Sequence, residues 1–220
     1  MSLRITLLLF LLASALFVQA NLDEHNNEAT PRFTLSTKGQ PVPYSLASFA
    51  GAGEPNITSK TRMVVLEVLK KRAKSLSDAE MERLADVIIK YSERHGHDPF
   101  LVLAVIETES SFRRSVISRK GAVGLMQVRP FVAKAQAREL NISEKDAVKL
   151  LDPATNVMIG TYYLAKMRKR FGDLSLALEA YNRGPTKLRK SLRKGHKLRK
   201  KYTTRVLRSR ERLMNMVNAV

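Results

Sequence analysis

The stretch from Pro99 to Ser110, PFLVLAVIETES, limits the fold more than any other part of the chain. Asp98 and Pro99 supply a helix cap and a first-turn proline, and seven consecutive apolar residues, Phe100 to Ile106, follow. A helix that is apolar on every side has no face to offer water, so it belongs at the centre of a layer of other helices. Those other helices announce themselves by their caps. Ser77 and Asp78 open one in which Met81, Leu84, Ala85, Ile88 and Tyr91 follow the three-four spacing, and Gly96 closes it. Arg129-Pro130, Ser143 and Asp152-Pro153 mark three further starts, the last opening a long helix that ends at Gly172. LSLALEAYNR follows, and Pro185 starts a short helix closed by Gly195. No stretch alternates in the manner of a strand, and no internal repeat is present. The expected fold is all-α, a compact assembly of short and medium helices joined by tight turns.

The central helix ends in Glu107 and Glu109. Both carboxyls lie where the helix dipole is negative, and apolar surroundings also disfavour ionisation, so a carboxyl protonated near neutral pH can arise here. That is the state a general acid needs. Two residues apart, the side chains diverge by about 200° and cannot form a facing pair. Periodicity does not say which one faces a cleft, and a capping or salt-bridged role fits either.

Charge and export narrow the class of partner. Lys and Arg number 39 against 20 Asp and Glu, a formal net charge of +19, which draws polyanions such as nucleic acid, anionic lipid or an acidic wall polymer. The chain opens with a short basic segment, an apolar run from Ile5 to Val18, and small residues at Val18-Gln19-Ala20. This pattern predicts a signal peptide over residues 1–20 and places the working part outside the cytoplasm, which weakens the nucleic-acid reading. Residues 21–60 are rich in Asn, Thr, Ser, Pro and Gly without a sustained period, and read as a flexible linker. The folded domain is expected over 61–220, with a motif core at 80–186 and strongly basic C-terminal helices at 187–220. Cysteine is absent, so disulfides and thiolate metal sites are excluded.

Three ordered motifs then bear on function. Glu109-Ser110-Ser111-Phe112, Ser118 and Gly121-Ala-Val-Gly-Leu-Met-Gln127 form the first; Leu151-Asp152-Pro153 with Asn156, Gly160, Tyr163 and Leu164 the second; Ala180-Tyr181-Asn182-Arg183-Gly184-Pro185 the third. Together, over roughly residues 80 to 207, they resemble the soluble lytic transglycosylase catalytic-domain family, which has a goose-type lysozyme-like fold with a substrate cleft. The resemblance implies that Glu109 is the catalytic acid and base and that Glu107 has no assigned chemistry. It implies further that Ser118 and Gln127 line the sugar cleft, that the Tyr181 hydroxyl lies near the catalytic carboxyl, and that Asn182 holds its turn. Neutral donors and acceptors of this kind orient hydroxyls and acetamides without fixing a charge beside the acid. Gly121 and Gly124 would allow close approach of backbone to the ligand.

The implied reaction uses one carboxylate where most glycosidases use two. Glu109 would protonate the leaving oxygen between N-acetylmuramic acid and N-acetylglucosamine. It would then take a proton from the muramoyl C6 hydroxyl as that oxygen closes a 1,6-anhydro ring, the substrate acetamide supporting the cationic centre. No cofactor or metal is called for. Peptidoglycan strands are polyanionic, which suits the basic surface.

Other features are weighed beside this. Arg129 and Arg183 stand where an apolar and a small residue are usual, and are expected either to tune the cleft or to be solvated. Lys187 to Arg212 holds thirteen Lys or Arg and one Glu, dense enough to suggest a dock for anionic glycan, a surface polymer or a protein partner. Tyr202 is its single aromatic, too few for a single-strand nucleic-acid platform. His95 and His97 read as residues of a loop between helices, since no further ligands stand at metal spacing. Two alternatives stay open at this point: a lysozyme-type hydrolase of the same bond, and a non-catalytic wall-binding protein that works through its basic tail.

Overall fold

The structure, a computed structural model, describes residues 57–218. Within them run helices α1 (Ile57–Arg72), α2 (Asp78–Arg94), α3 (Pro99–Ser110), α4 (Pro130–Ala137), α5 (Glu144–Ala147), α6 (Pro153–Phe171), α7 (Leu174–Arg183), α8 (Pro185–Arg193) and α9 (Lys201–Asn218). The described residues contain no strand, only two isolated bridges in the loop between α3 and α4. No helix among them is long and apolar enough to cross a membrane. The expected signal peptide and most of the expected linker lie outside the described residues. α1 begins four residues inside the stretch read as linker.

The cap residues legible in the sequence start their helices. Ser77 and Glu80 form a reciprocal capping box, Ser77 Oγ accepting from Glu80 N while Ser77 N donates to Glu80 Oε2. Asp98 accepts from Phe100 N, Asp152 from Thr155 N, Asp173 from Leu176 N, and Ser143 from Asp146 N. Each such bond stabilises its helix start by roughly 1 kcal/mol.

α3 is the axis of the molecule, every residue from Phe100 to Ile106 being buried. α2 covers it with Met81, Leu84, Ala85 and Ile88, and α1 adds Val64, Val65, Val68 and Leu69. α9 lies against α3 through Tyr202, Val206 and Leu213, spaced so that all three share a face. A smaller cluster of Met167, Ala177, Ala180 and Leu188 joins α6, α7 and α8. The C-terminal end of α3 is thus surrounded by α9 and by the loop that leads to α4.

Candidate active site

Glu109 occupies the last turn of α3, where the chain leaves the helix abruptly. Ser111 and Phe112 both adopt left-handed backbone, at φ 52° and 62°, and Phe112 is nevertheless 2% exposed. Two successive non-glycine residues in that region cost on the order of 1 kcal/mol each or more. Burial of the Phe112 ring offsets the strain. The sharp exit ends α3 just past Glu109 and turns the chain into the following loop.

The surroundings of the two glutamates differ. Burial raises the Glu109 carboxyl above the ordinary glutamate range, and a hydrogen bond from Tyr202 together with the charge of Arg205 pulls it only part of the way back. Tyr202 donates to Glu109 Oε1 at 2.6 Å. Burial, with the Glu109 charge acting in the same direction, pushes the Tyr202 and Tyr181 hydroxyls well above their usual range, so both remain donors. Glu107 faces cations instead: Arg212 at 2.6 Å, Arg72 at 3.1 Å and the Ser209 hydroxyl share its carboxylate. The arginines of α1 and α9 thus engage Glu107, whereas Glu109 meets a tyrosine hydroxyl in buried surroundings.

The loop from Arg113 to Val128 is held by bridges pairing Ile117 with Val123 and Val123 with Val128. Its anchor is Asn156 on α6, which is fully buried and satisfied on both sides of its amide. Nδ2 donates to the Val123 and Leu150 carbonyls at 2.8 and 2.9 Å, and Oδ1 accepts from Met126 N at 2.7 Å. Gly124 (φ 80°) lies so close to this amide that a Cβ there would stand 2.3 Å from Asn156 Nδ2. Gly160 faces Met126 as closely, a Cβ falling 2.6 Å from its sulfur. Gly124 thus serves the approach of a protein side chain, whereas open approach of a ligand was expected. Gly121 (φ 71°) stands in open space and suits that role better.

The residues expected to line the cleft are all in this loop or bonded to it. Tyr181 donates to the Met126 carbonyl at 2.7 Å, so its hydroxyl is electrostatically coupled to Glu109 but bonded to the loop. Gln127, at φ 50°, donates through Nε2 to the Val116 and Gly124 carbonyls, both at 3.0 Å. Ser118 Oγ accepts from Ala122 N at 3.0 Å and closes the loop tip. Neither Ser118 nor Gln127 makes a hydrogen bond to Glu109. Asn182 is exposed, and its turn is closed by other groups, Gly184 N donating to the Ala180 carbonyl.

One further group touches Glu109 that the motifs did not single out. Tyr202, noted in the sequence only as a lone aromatic in a basic run, is the direct partner of Glu109. Its place is fixed from the next residue: Thr203 donates through N and Oγ1 to Glu179 Oε1 at 3.3 and 3.1 Å. Glu179 is wholly buried and paired with Arg183 at 2.7 Å, and Arg183 also donates to the Arg199 carbonyl. Arg183 therefore clamps the start of α9 from behind, where cleft tuning or solvation was expected. The four-residue spacing from Glu179 to Arg183 was the available signal. Arg129 is exposed and stacks over the Phe131 ring at 4.7 Å. His95 and His97 sit at the expected turn but are no ordinary loop residues; His97 is 5% exposed.

Residues 86–204 match the Transglycosylase SLT domain. The chain belongs to this transglycosylase family. It is 31% identical over 147 residues to membrane-bound lytic murein transglycosylase C of Edwardsiella ictaluri, covering 62% of this chain and 40% of that protein. With the soluble lytic murein transglycosylase of Salmonella typhimurium it shares 33% identity over 106 residues, 47% of this chain and 16% of the relative. The chain thus spans less than half the length of these curated relatives. Among solved structures, an inactive mutant of the lytic transglycosylase Slt from Pseudomonas aeruginosa superposes with a TM-score of 0.54 at 24% identity, over 70% of this chain and 28% of that one. The fold is accordingly the all-α, lysozyme-like one expected. The transglycosylase match takes in Glu109, the loop from Arg113 to Val128, Tyr181 and Tyr202, and leaves α1 outside.

Proposed function

We propose that the protein is an exported peptidoglycan lytic transglycosylase that cleaves the β-1,4 bond from N-acetylmuramic acid to N-acetylglucosamine and leaves a 1,6-anhydromuramoyl end. The observation that carries this is the contrast between two nearby carboxyls: Glu109 is raised by burial and held by a tyrosine hydroxyl, and Glu107 is engaged by two arginines. A carboxyl so raised can be protonated at the start of the reaction and still act as a base afterwards. Tyr202 fixes its orientation. As the glycosidic bond breaks, Glu109 gives its proton to the departing oxygen. It then removes the proton from the C6 hydroxyl, whose oxygen bonds to C1, so no water is consumed. Ser118, Gln127 and Tyr181 support the cleft in this reading through the loop they hold. Membership of the transglycosylase family and the names of the relatives favour peptidoglycan as substrate and the cell envelope as the place of action.

Digestion of purified sacculi tests this. The wild-type protein should release muropeptides whose ends are one water lighter than reducing ends by mass spectrometry. Glu109→Gln should slow release by at least about a hundredfold. Reducing ends from the wild-type protein would identify a hydrolase instead, undiminished release by Glu109→Gln would show that this carboxyl is not the acid, and binding of sacculi without any release by the wild-type protein would leave only a wall-binding role.

A further inference from the structure

Glu107 takes no part in the reaction as written above, yet three helices meet at its carboxylate. Arg72 from α1 pairs with Oε1 at 3.1 Å, and Arg212 and the Ser209 hydroxyl from α9 both donate to Oε2, Arg212 at 2.6 Å. The Glu107 side chain is only 14% exposed and Ser209 is buried, whereas about half of each arginine side chain is open to solvent. All three partners lie outside residues 86–204, the part that matches the transglycosylase domain. The tie is thus added by flanking segments to the turn of α3 that carries the acid.

Its place on α9 explains what it does. Tyr202, which holds Glu109, and Ser209 are seven residues apart, so both side chains leave one face of α9 about 10 Å from each other. The apolar contacts of that face, Val206 and Leu213, are non-directional and allow a helix to slide or turn. Thr203, bonded to Glu179, fixes one point near the start of α9 but leaves the direction of the helix free. A second directional tie farther along removes that freedom. Ser209 and Arg212 supply it at Glu107, and Arg210 adds a bond at 2.5 Å to Asp98, the cap of α3. Arg72 holds the same carboxylate from α1, which is itself seated by the buried Val64, Val65, Val68 and Leu69.

We propose that Glu107 is a positioning residue for the reaction: by tying α9 and α1 to the last turn of α3, it keeps the Tyr202 hydroxyl on the Glu109 carboxyl. The inference rests on the transglycosylase reading above. Tyr202 and Arg205 face Glu109 from α9, and Tyr181 faces it from α7. Two of the three ride on α9, so a displacement of that helix reaches the acid directly. An effect of the Glu107 charge through space would have the opposite sign. Removing that charge by itself favours ionisation of Glu109, whereas losing the Tyr202 bond and the nearby Arg205 charge disfavours it. The two routes move the alkaline limb of the pH-rate profile in opposite directions.

The experiment follows product release from purified sacculi against pH, using the full-length protein and its Glu107→Met, Tyr202→Phe and doubly substituted forms. Methionine keeps the bulk of the side chain and frees arginines that are exposed enough to hydrate, so melting should stay close to the wild-type temperature. Glu107→Met should lower kcat about tenfold with KM little changed, and should move the alkaline limb to higher pH. In the Tyr202→Phe background the same substitution should cost no more than about twofold, since the group through which it acts is gone. If Glu107→Met melts far below wild type, Arg212 carries the test: Arg212→Lys should keep the rate and Arg212→Met should lose it. An unchanged kcat, a limb moved to lower pH, or a tenfold loss retained in the Tyr202→Phe background would overturn the proposal, as would equal rates for the two Arg212 variants. Failure of the underlying reading would show itself separately, as Glu109→Gln releasing product as fast as wild type.

Discussion

Glu107 and Glu109 share a helix turn and a residue type, and what separates them is the company each keeps. The Tyr202 hydroxyl both orients Glu109 and lowers its proton affinity against the larger effect of burial. Tyr202→Phe removes a hydrogen bond to the acid and should reduce kcat by about tenfold or more. It should also move the alkaline limb of the pH-rate profile to higher pH, because the group that stabilised the ionised carboxylate is gone. An unmoved limb would deny Tyr202 this role. The sequence named Glu109 through its motif and overlooked Tyr202, because a hydrogen bond between residues 109 and 202 has no local pattern to betray it. Ser118, Gln127 and Tyr181 were legible as polar residues of the motifs, but not the backbone groups that bond to them.

At the scale of elements, the caps and glycine stops located α2 to α8 closely, since these signals act within four residues of chain. α1 gave no such signal. Its Val64, Val65, Val68 and Leu69 include three β-branched residues, and it is packing against α2 and α3 that makes them helical. α9 depends likewise on tertiary contacts, its start being tied to the buried Glu179. Arg183→Met should leave that carboxylate uncompensated and cost about 3–5 kcal/mol in denaturant unfolding. Combining it with Glu179→Leu should restore most of the loss, a coupling that a double-mutant cycle would measure. Additive costs would show that the clamp is not what holds α9.

Over the whole molecule, the two histidines at the α2–α3 turn give stability a pH dependence unconnected with catalysis. Burial pushes His95 and His97 down to about 4, helped by the charges of Arg94 and Arg168 respectively. His95 is flanked by the Tyr91 and Tyr162 rings, and neither ring nitrogen of His97 makes a hydrogen bond of ordinary geometry, the Thr161 backbone acting on it only weakly. Between pH 4 and 6.5 the unfolded chain binds protons that the folded one refuses, so unfolding free energy should fall as pH falls through that window. His97 accounts for up to about 1.4 kcal/mol per pH unit there, and His95, more open to solvent and so more screened, for less. Thermal melts from pH 7 to 4 check this, and His97→Phe should flatten the slope. A wild-type slope unchanged by the substitution would contradict it.

The sequence by itself determined that the chain is helical, where most helices begin and end, that one of them must be buried throughout, and which family its motifs belong to. These properties follow from interactions within a few residues and from the period of apolar side chains. Only the tertiary structure decided which glutamate is engaged by arginines and which tyrosine holds the other. Each depends on groups far apart in the chain, and burial and opposing charge act through space, where sequence spacing carries no record of them.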